Sequence, residues 1–227
     1  MSVAQHLQAI RARIEAAATG AGRASGSVQL VAVSKTKPIE AIREAFDAGQ
    51  VDFGENRVQE MAEKQPLLPQ ARWHLIGTLQ RNKVKYIAPY VHLIHSVDSD
   101  RLLAEIDKQA ARHDRTIDCL LQLHISGEET KAGLEEEEAA TLLRDIDQYP
   151  HVRIRGLMGM AALTDDTDLI ISQFRRLRLA RDQFRDAFAH PRIDLSELSM
   201  GMSGDFELAI AEGATLVRIG SAVFGGR

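Results

Sequence analysis

The chain has 227 residues, 44% of them hydrophobic and 26% charged, with a formal net charge of −4 and a single cysteine. This composition suits one globular domain over residues 1–227 that buries a large core without disulfides or a structural metal. The mild negative charge argues against a nucleic-acid surface, which needs clustered cations, and a lone Cys119 is what a reducing compartment permits.

In chain order, residues 1–20 form an amphipathic helix with charges throughout, unlike the apolar region of a secretory signal. No later stretch approaches the roughly 18 apolar residues needed to span a bilayer, so a cytoplasmic chain free of membranes is expected. Short β-branched runs then alternate with runs of helical period. Strands are expected at 28–34, 51–54, 73–77, 91–97, 117–125, 154–160, 197–201 and 215–220. Helices are expected at 40–48, 101–112, 135–146, 168–188 and 206–212, with the acidic run 135–138 at a helix N-terminus favoured by the dipole. Eight strands with intervening helices predict an α/β fold, a (β/α)8 TIM-type barrel with an extra N-terminal helix. An open doubly wound sheet is the alternative. Val33-Ser34-Lys35-Thr36-Lys37-Pro38, which is not a glycine-rich loop, follows the first strand and argues against it.

A barrel places its site at the C-terminal ends of the strands, often with phosphate held by the loops after strands seven and eight. Strand seven runs into Ser199-Met200-Gly201-Met202-Ser203-Gly204-Asp205, where Ser203 is expected to cap the next helix and the amides of Gly204 and Asp205 to face an anion. Strand eight ends in Val217-Arg218-Ile219-Gly220-Ser221-Ala222. Plain turn chemistry explains either loop alone, whereas the two together favour phosphate. Lys35 ends strand one, beside strand eight in a closed barrel, on the same face as Val31 and Val33. Partial desolvation there would lower its pKa and supply the neutral amine that Schiff-base chemistry requires. Lys37 is expected to be solvated on the surface. His74 reads as a histidine satisfied inside the barrel, with a general base as the alternative. The eight histidines are scattered and Cys119 has no partner at ligand spacing, so no metal site is expected.

Five blocks carry a family resemblance. Ala32-Val33-Ser34-Lys35-Thr36, Phe53-Gly54-Glu55-Asn56, residues 73–83, residues 199–205 and residues 217–225 resemble, in order, the hallmark blocks of the pyridoxal phosphate homeostasis protein family. The resemblance implies a fold like the N-terminal barrel of alanine racemase, with pyridoxal 5'-phosphate (PLP) bound and no established turnover. It also implies a part in intracellular PLP, vitamin B6 and amino-acid homeostasis. Residue by residue it implies Lys35 as the Schiff-base lysine and Ser203, Gly204, Gly220 and Ser221 as the phosphate loops. Arg218 would lie near the pyridine nitrogen and Asn56 beside the cofactor, although an Asn at a strand end also reads as a helix cap. Met200 and Met202 are expected to pack around the ring. Lys131 resembles a second lysine of the family, against the simpler reading of a solvated loop lysine.

Two functions follow, a PLP carrier or buffer and, as the alternative, a PLP-dependent amino-acid racemase. Racemisation needs acid–base groups on both faces of the substrate α-carbon. The sequence stops at Arg227, so the additional domain from which two-domain racemases draw a tyrosine is expected to be missing. Tyr86, Tyr90 and Tyr149 lie outside the site blocks. The carrier is therefore the expectation, as a monomer or weak dimer whose partners are PLP and apo PLP-dependent enzymes, without nucleic acid or membrane.

Overall fold

In a computed structural model, which describes residues 2–127 and 133–225, eight parallel strands close into a barrel in the order β1-β2-β3-β4-β5-β6-β7-β8. They are β1 (Gln29–Val33), β2 (Asp52–Glu55), β3 (Arg72–Leu75), β4 (Leu93–Val97), β5 (Ile117–Gln122), β6 (Val152–Met158), β7 (Ile193–Ser199) and β8 (Leu216–Ile219). All eight expected strands exist. The largest boundary difference is in β7, which begins four residues before the expected 197 and bends where Leu195 takes a φ of 51°. That left-handed residue interrupts the alternation from which the strand was read.

The helices are α1 (Val3–Gly20), α2 (Ile39–Asp47), α3 (Val58–Lys64), α4 (Val84–Ile87), α5 (Asp100–Arg112), α6 (Glu136–Arg144), α7 (Thr167–Ala187), α8 (Phe206–Ala211) and α9 (Ser221–Phe224). Helices α3, α4 and α9 were not foreseen; each is seven residues or fewer, too short to show two full apolar turns. Helix α1 starts in a capping box of Ser2 with Gln5 and packs against α2, α8 and α9. Glu135 and Glu138 form the equivalent box at α6, so the acidic run does mark a helix start. No helix among the described residues is long and apolar enough to cross a bilayer.

Alternation divides the core in two. Side chains such as Ala32, Phe53, Trp73, Ile94, Leu121 and Val217 point outwards and merge with the buried helix faces into one apolar cluster. The barrel interior holds a smaller cluster of Val31, Leu93, Leu120, Met158 and Leu216, with Met160 against it. The remaining interior positions are polar, and they connect to the mouth.

Candidate functional site

At the mouth, β1 pairs with β2 on one side and β8 on the other. Lys35 lies two residues beyond β1, exposed in the turn that leads to α2. The expected partial desolvation at a strand end is therefore corrected: the strand stops at Val33 and the chain has already turned. The turn closes through a bond from Lys37 N to Ser34 O of 3.1 Å. It carries Thr36 at a φ of 63°, a strained conformation for a β-branched residue.

A buried clasp holds that turn from outside the barrel. Lys64, 7% exposed at the end of α3, donates to Ser34 O at 2.8 Å, Glu55 Oε1 at 2.8 Å and Glu60 Oε1 at 2.6 Å. These bonds occupy all three ammonium hydrogens. Ser34 Oγ donates to Glu55 Oε1 at 2.6 Å, and the strained Thr36 N donates to Glu60 Oε1 at 2.5 Å. Burial pushes the Glu55 carboxyl above its ordinary pKa although Lys64 and Ser34 pull it down. Its Oε2 is buried without a partner. Lys37 is not the solvated lysine expected: half-buried, it donates to Gly225 O at 3.0 Å and Phe224 O at 3.4 Å, tying the turn to the end of α9.

The loops after β7 and β8 meet beside this turn, and Ser221 Oγ donates to Ser203 Oγ at 3.1 Å. Among the described residues, the amides of Ser203, Gly204, Ser221 and Ala222 find no protein acceptor. Ser203 does not cap α8. The cap position is Asp205, whose carboxylate accepts from Met202 N at 2.5 Å and closes the loop on itself. Gly220 passes so close to β1 that a Cβ there would lie 3.1 Å from Val33 O, so a side chain at this position would press on β1 beside the Lys35 turn. Asn56 is half-buried just past β2 and caps no helix, the cap of α3 being Arg57. A Cβ on Gly77 would lie 2.4 Å from Asn56 O, so the β3 loop wedges Asn56 in place. Met200 is buried in the outer, helix-side cluster and Met202 is exposed, so neither is placed by contact inside the barrel. The expectation for Lys131 falls outside the described residues.

Arg218 is 4% exposed, points into the barrel, and donates to Ser199 Oγ at 2.7 Å and Gly159 O at 3.1 Å. Burial lowers its pKa to about 10, with Asp205 opposing, so it stays charged at neutral pH. Beyond Ser199 the bonds continue downwards. Ser199 Oγ meets His95 Nδ1 at 2.8 Å, His95 Nε2 meets His74 Nδ1 at 3.0 Å, and His74 Nε2 meets Asp52 Oδ1 at 3.0 Å. His74 is thus satisfied at both nitrogens, as expected. His95, Ser199 and Asp52 went unrecognised, yet a polar residue two positions after the inward Leu93 in the buried strand β4 was a readable signal.

The histidines scattered in sequence are gathered in space: His74 stacks within 5.1 Å of His92 and 5.2 Å of His95, centroid to centroid. Asp52, His74 and His92 bring potential ligand atoms within 4.8 Å at the barrel floor, which the expectation of scattered histidines did not foresee. The bonding does not favour a cation there. His74 Nε2 must carry a hydrogen to bond the Asp52 carboxylate, and Arg72 Nη2 already holds Asp52 Oδ2 at 2.6 Å.

Comparison with known proteins bears on the fold and the family. The alanine racemase N-terminal domain family matches residues 5–227. The pyridoxal phosphate homeostasis protein of Aquifex aeolicus is 41% identical over 229 residues, covering 100% of this chain and 99% of its own length. The chain belongs to the pyridoxal phosphate homeostasis protein family. PipY of Synechococcus elongatus, solved with PLP bound, superposes with a TM-score of 0.86 at 38% identity, covering 99% of this chain and 100% of PipY. Alanine racemase of Clostridium difficile, in complex with cycloserine, shares the barrel at a TM-score of 0.73 and 12% identity. That alignment covers 93% of this chain and 58% of the racemase chain. The pyridoxal phosphate homeostasis family and alanine racemase therefore share the closed (β/α)8 architecture.

Proposed function

We propose that this chain binds PLP at the barrel mouth as a Schiff base on Lys35 and acts as a carrier or buffer in intracellular PLP and amino-acid homeostasis, without substantial turnover. The observation that carries the reading is convergence: the β7 and β8 loops, bonded hydroxyl to hydroxyl at 3.1 Å, meet beside the turn that bears Lys35. Four amides without protein acceptors and two hydroxyls suit a phosphate, which accepts hydrogen bonds and donates few. Bound there, the cofactor would supply an aldehyde for the lysine amine and an electron-withdrawing ring. Ser203, Gly204, Gly220 and Ser221 would hold the phosphate, Arg218 would face the ring nitrogen, and Asn56 would lie alongside. Membership of the family, and the PLP in PipY, support the same assignment. Apo PLP-dependent enzymes are the proposed recipients.

The racemase reading is less supported. Tyr90 and Tyr149 precede β4 and β6, at the opposite end of the barrel from the mouth, and the Tyr149 hydroxyl is already bonded to Asp100. Tyr86 is exposed on α4. Among the described residues no tyrosine therefore stands at the mouth to serve the second face of a substrate. Borohydride reduction of the PLP-loaded protein followed by peptide mapping is the test. A single pyridoxyl group on Lys35 is expected, and a label mainly on Lys37 or Lys131 would overturn the assignment. Solvent deuterium exchange at the α-carbon of L-alanine, at roughly 1 to 10³ per second and lost in Lys35→Ala, would move the protein to the racemases.

A further inference from the structure

We infer that Asp52, His74, His95 and Ser199 form a chain of positioning residues that orients the buried Arg218 guanidinium and balances its charge against a carboxylate at the barrel floor. Its consequence for a bound cofactor rests on the reading of Arg218 given above.

With both histidines neutral the chain has one direction, set from its carboxylate end. Asp52, as a carboxylate, can only accept, so the hydrogen between it and His74 sits on His74 Nε2. A neutral His74 then accepts at Nδ1, which puts the next hydrogen on His95 Nε2. His95 in turn accepts at Nδ1 from the Ser199 hydroxyl. Ser199 Oγ is left to accept from Arg218, and an arginine can only donate. A charged His74 would set its Nδ1–H against the Nε2–H of His95 across 3.0 Å, and a charged His95 would donate to Ser199 Oγ and reverse the last link. The His95 pKa agrees with a neutral ring: burial first, with Arg218 beside it, depresses it far below the ordinary histidine value. Burial alone would raise Asp52, but the bonds from His74 and Arg72 hold it below its usual range.

The chain answers a specific electrostatic problem. Arg218 is buried, and its recorded partners are a hydroxyl and a carbonyl, not a carboxylate. An unpaired buried cation is costly. Asp205 lowers that cost from the mouth side without a hydrogen bond. The directed chain lowers it from below, since each bond polarises the next in a low-dielectric interior. It also holds the guanidinium: with Nη1 on Ser199 and Nη2 on Gly159, the planar group has one orientation. Val31, Leu93, Leu120, Met158 and Leu216 form the apolar interior around it.

The test begins with ring-¹⁵N-labelled histidine in the protein without added cofactor at neutral pH. His74 and His95 should both be neutral with the hydrogen on Nε2. A hydrogen on Nδ1 of either ring, or a charged ring, overturns the chain. In Ser199→Ala the Arg218 N–H groups should exchange about tenfold faster than in wild type, as loss of one bond to a charged donor implies, and Ser199→Thr should restore them. Unchanged exchange in Ser199→Ala also overturns it. In PLP-loaded protein, Asp52→Asn removes the anion at the far end and should lower the pKa of the bound chromophore, because less negative potential disfavours its protonated form. A chromophore titration superposable on wild type rejects the electrostatic half. Failure of the wild type to take PLP on Lys35 would sink the proposed function, while the two magnetic-resonance arms still decide the chain.

Discussion

The two sides of the barrel mouth are built on opposite principles. On the β1 side, the turn bearing Lys35 rests on Ser34, Glu55, Glu60 and Lys64, where a buried ammonium spends every hydrogen on protein acceptors. On the β7 and β8 side, small residues leave amides that find no acceptor among the described residues, and the two hydroxyls bond to each other. The covalent role proposed for Lys35 needs a backbone that does not move, and satisfied buried charges supply that rigidity. An anion site needs the reverse, donors held in place and left unused. Strain follows the same division, since Thr36 takes its φ of 63° directly after Lys35, on the side able to enforce it.

The sharpest way to break the comparison is Lys64→Met. It leaves Glu55, fully buried, without its cation, and stability should fall by about 3–5 kcal/mol, as for other broken buried pairs. Chemical denaturation measures this. Adding Glu55→Leu should recover a large part of the loss, because two apolar side chains replace a pair that was costly to desolvate. A loss under about 1 kcal/mol in the single variant would mean that the clasp is not what holds the turn.

The opposite side should respond in binding and hardly at all in folding. Ser203→Ala and Ser221→Ala each leave the unfolding midpoint nearly unchanged, within about 0.5 kcal/mol. Each weakens retention of PLP by about 1.5–3 kcal/mol, the worth of a hydrogen bond to a charged group. Pyridoxal, which lacks the phosphate, should bind almost equally to wild type and variants. Equal losses for both ligands would show that these loops serve folding.

Acid separates the regions by sign. Burial, with the charges of His74 and Arg72, lowers the His92 pKa to about 4, and His95 is lowered as well. The unfolded chain therefore binds more protons between about pH 4 and the ordinary histidine value of 6.5. Stability should accordingly be lost as pH falls through that window. Glu55 acts in the other direction: its raised pKa makes the folded state the better proton acceptor just above the ordinary carboxylate value, so its contribution grows as pH falls there. His95→Gln should flatten the histidine slope in a series of unfolding curves, whereas Glu55→Gln should steepen the net loss in acid.

The smallest expected effect is at Thr36. Asparagine tolerates the left-handed region better than a β-branched residue, so Thr36→Asn should stabilise the protein by up to about 1 kcal/mol. A destabilisation would mean that the threonine side chain contributes more than its backbone costs.

Strand count and barrel closure were legible in the chain, because alternation and helical period are local properties, whereas Lys35, read as the end of β1, lies two residues past it and exposed. The register of the hallmark blocks added the family. What was not legible depended on pairs distant in sequence. Lys37 read as solvated because its acceptors, Phe224 and Gly225, lie at the far end of the chain. Ser203 read as a helix cap because its spacing allowed it, until Asp205 took that position.

The sequence by itself determined that this chain would wind into a (β/α)8 barrel, since burial of apolar strand faces admits few other arrangements of such a pattern. Only the tertiary structure decided which charges were buried and with whom. The Lys64 clasp and the directed path from Asp52 to Arg218 join residues up to 104 positions apart within a single bond, His95 to Ser199. No local pattern encodes such a partner. Closing the barrel brings β4 and β7 across the same interior, and the low dielectric there turns those meetings into the strongest constraints on the site.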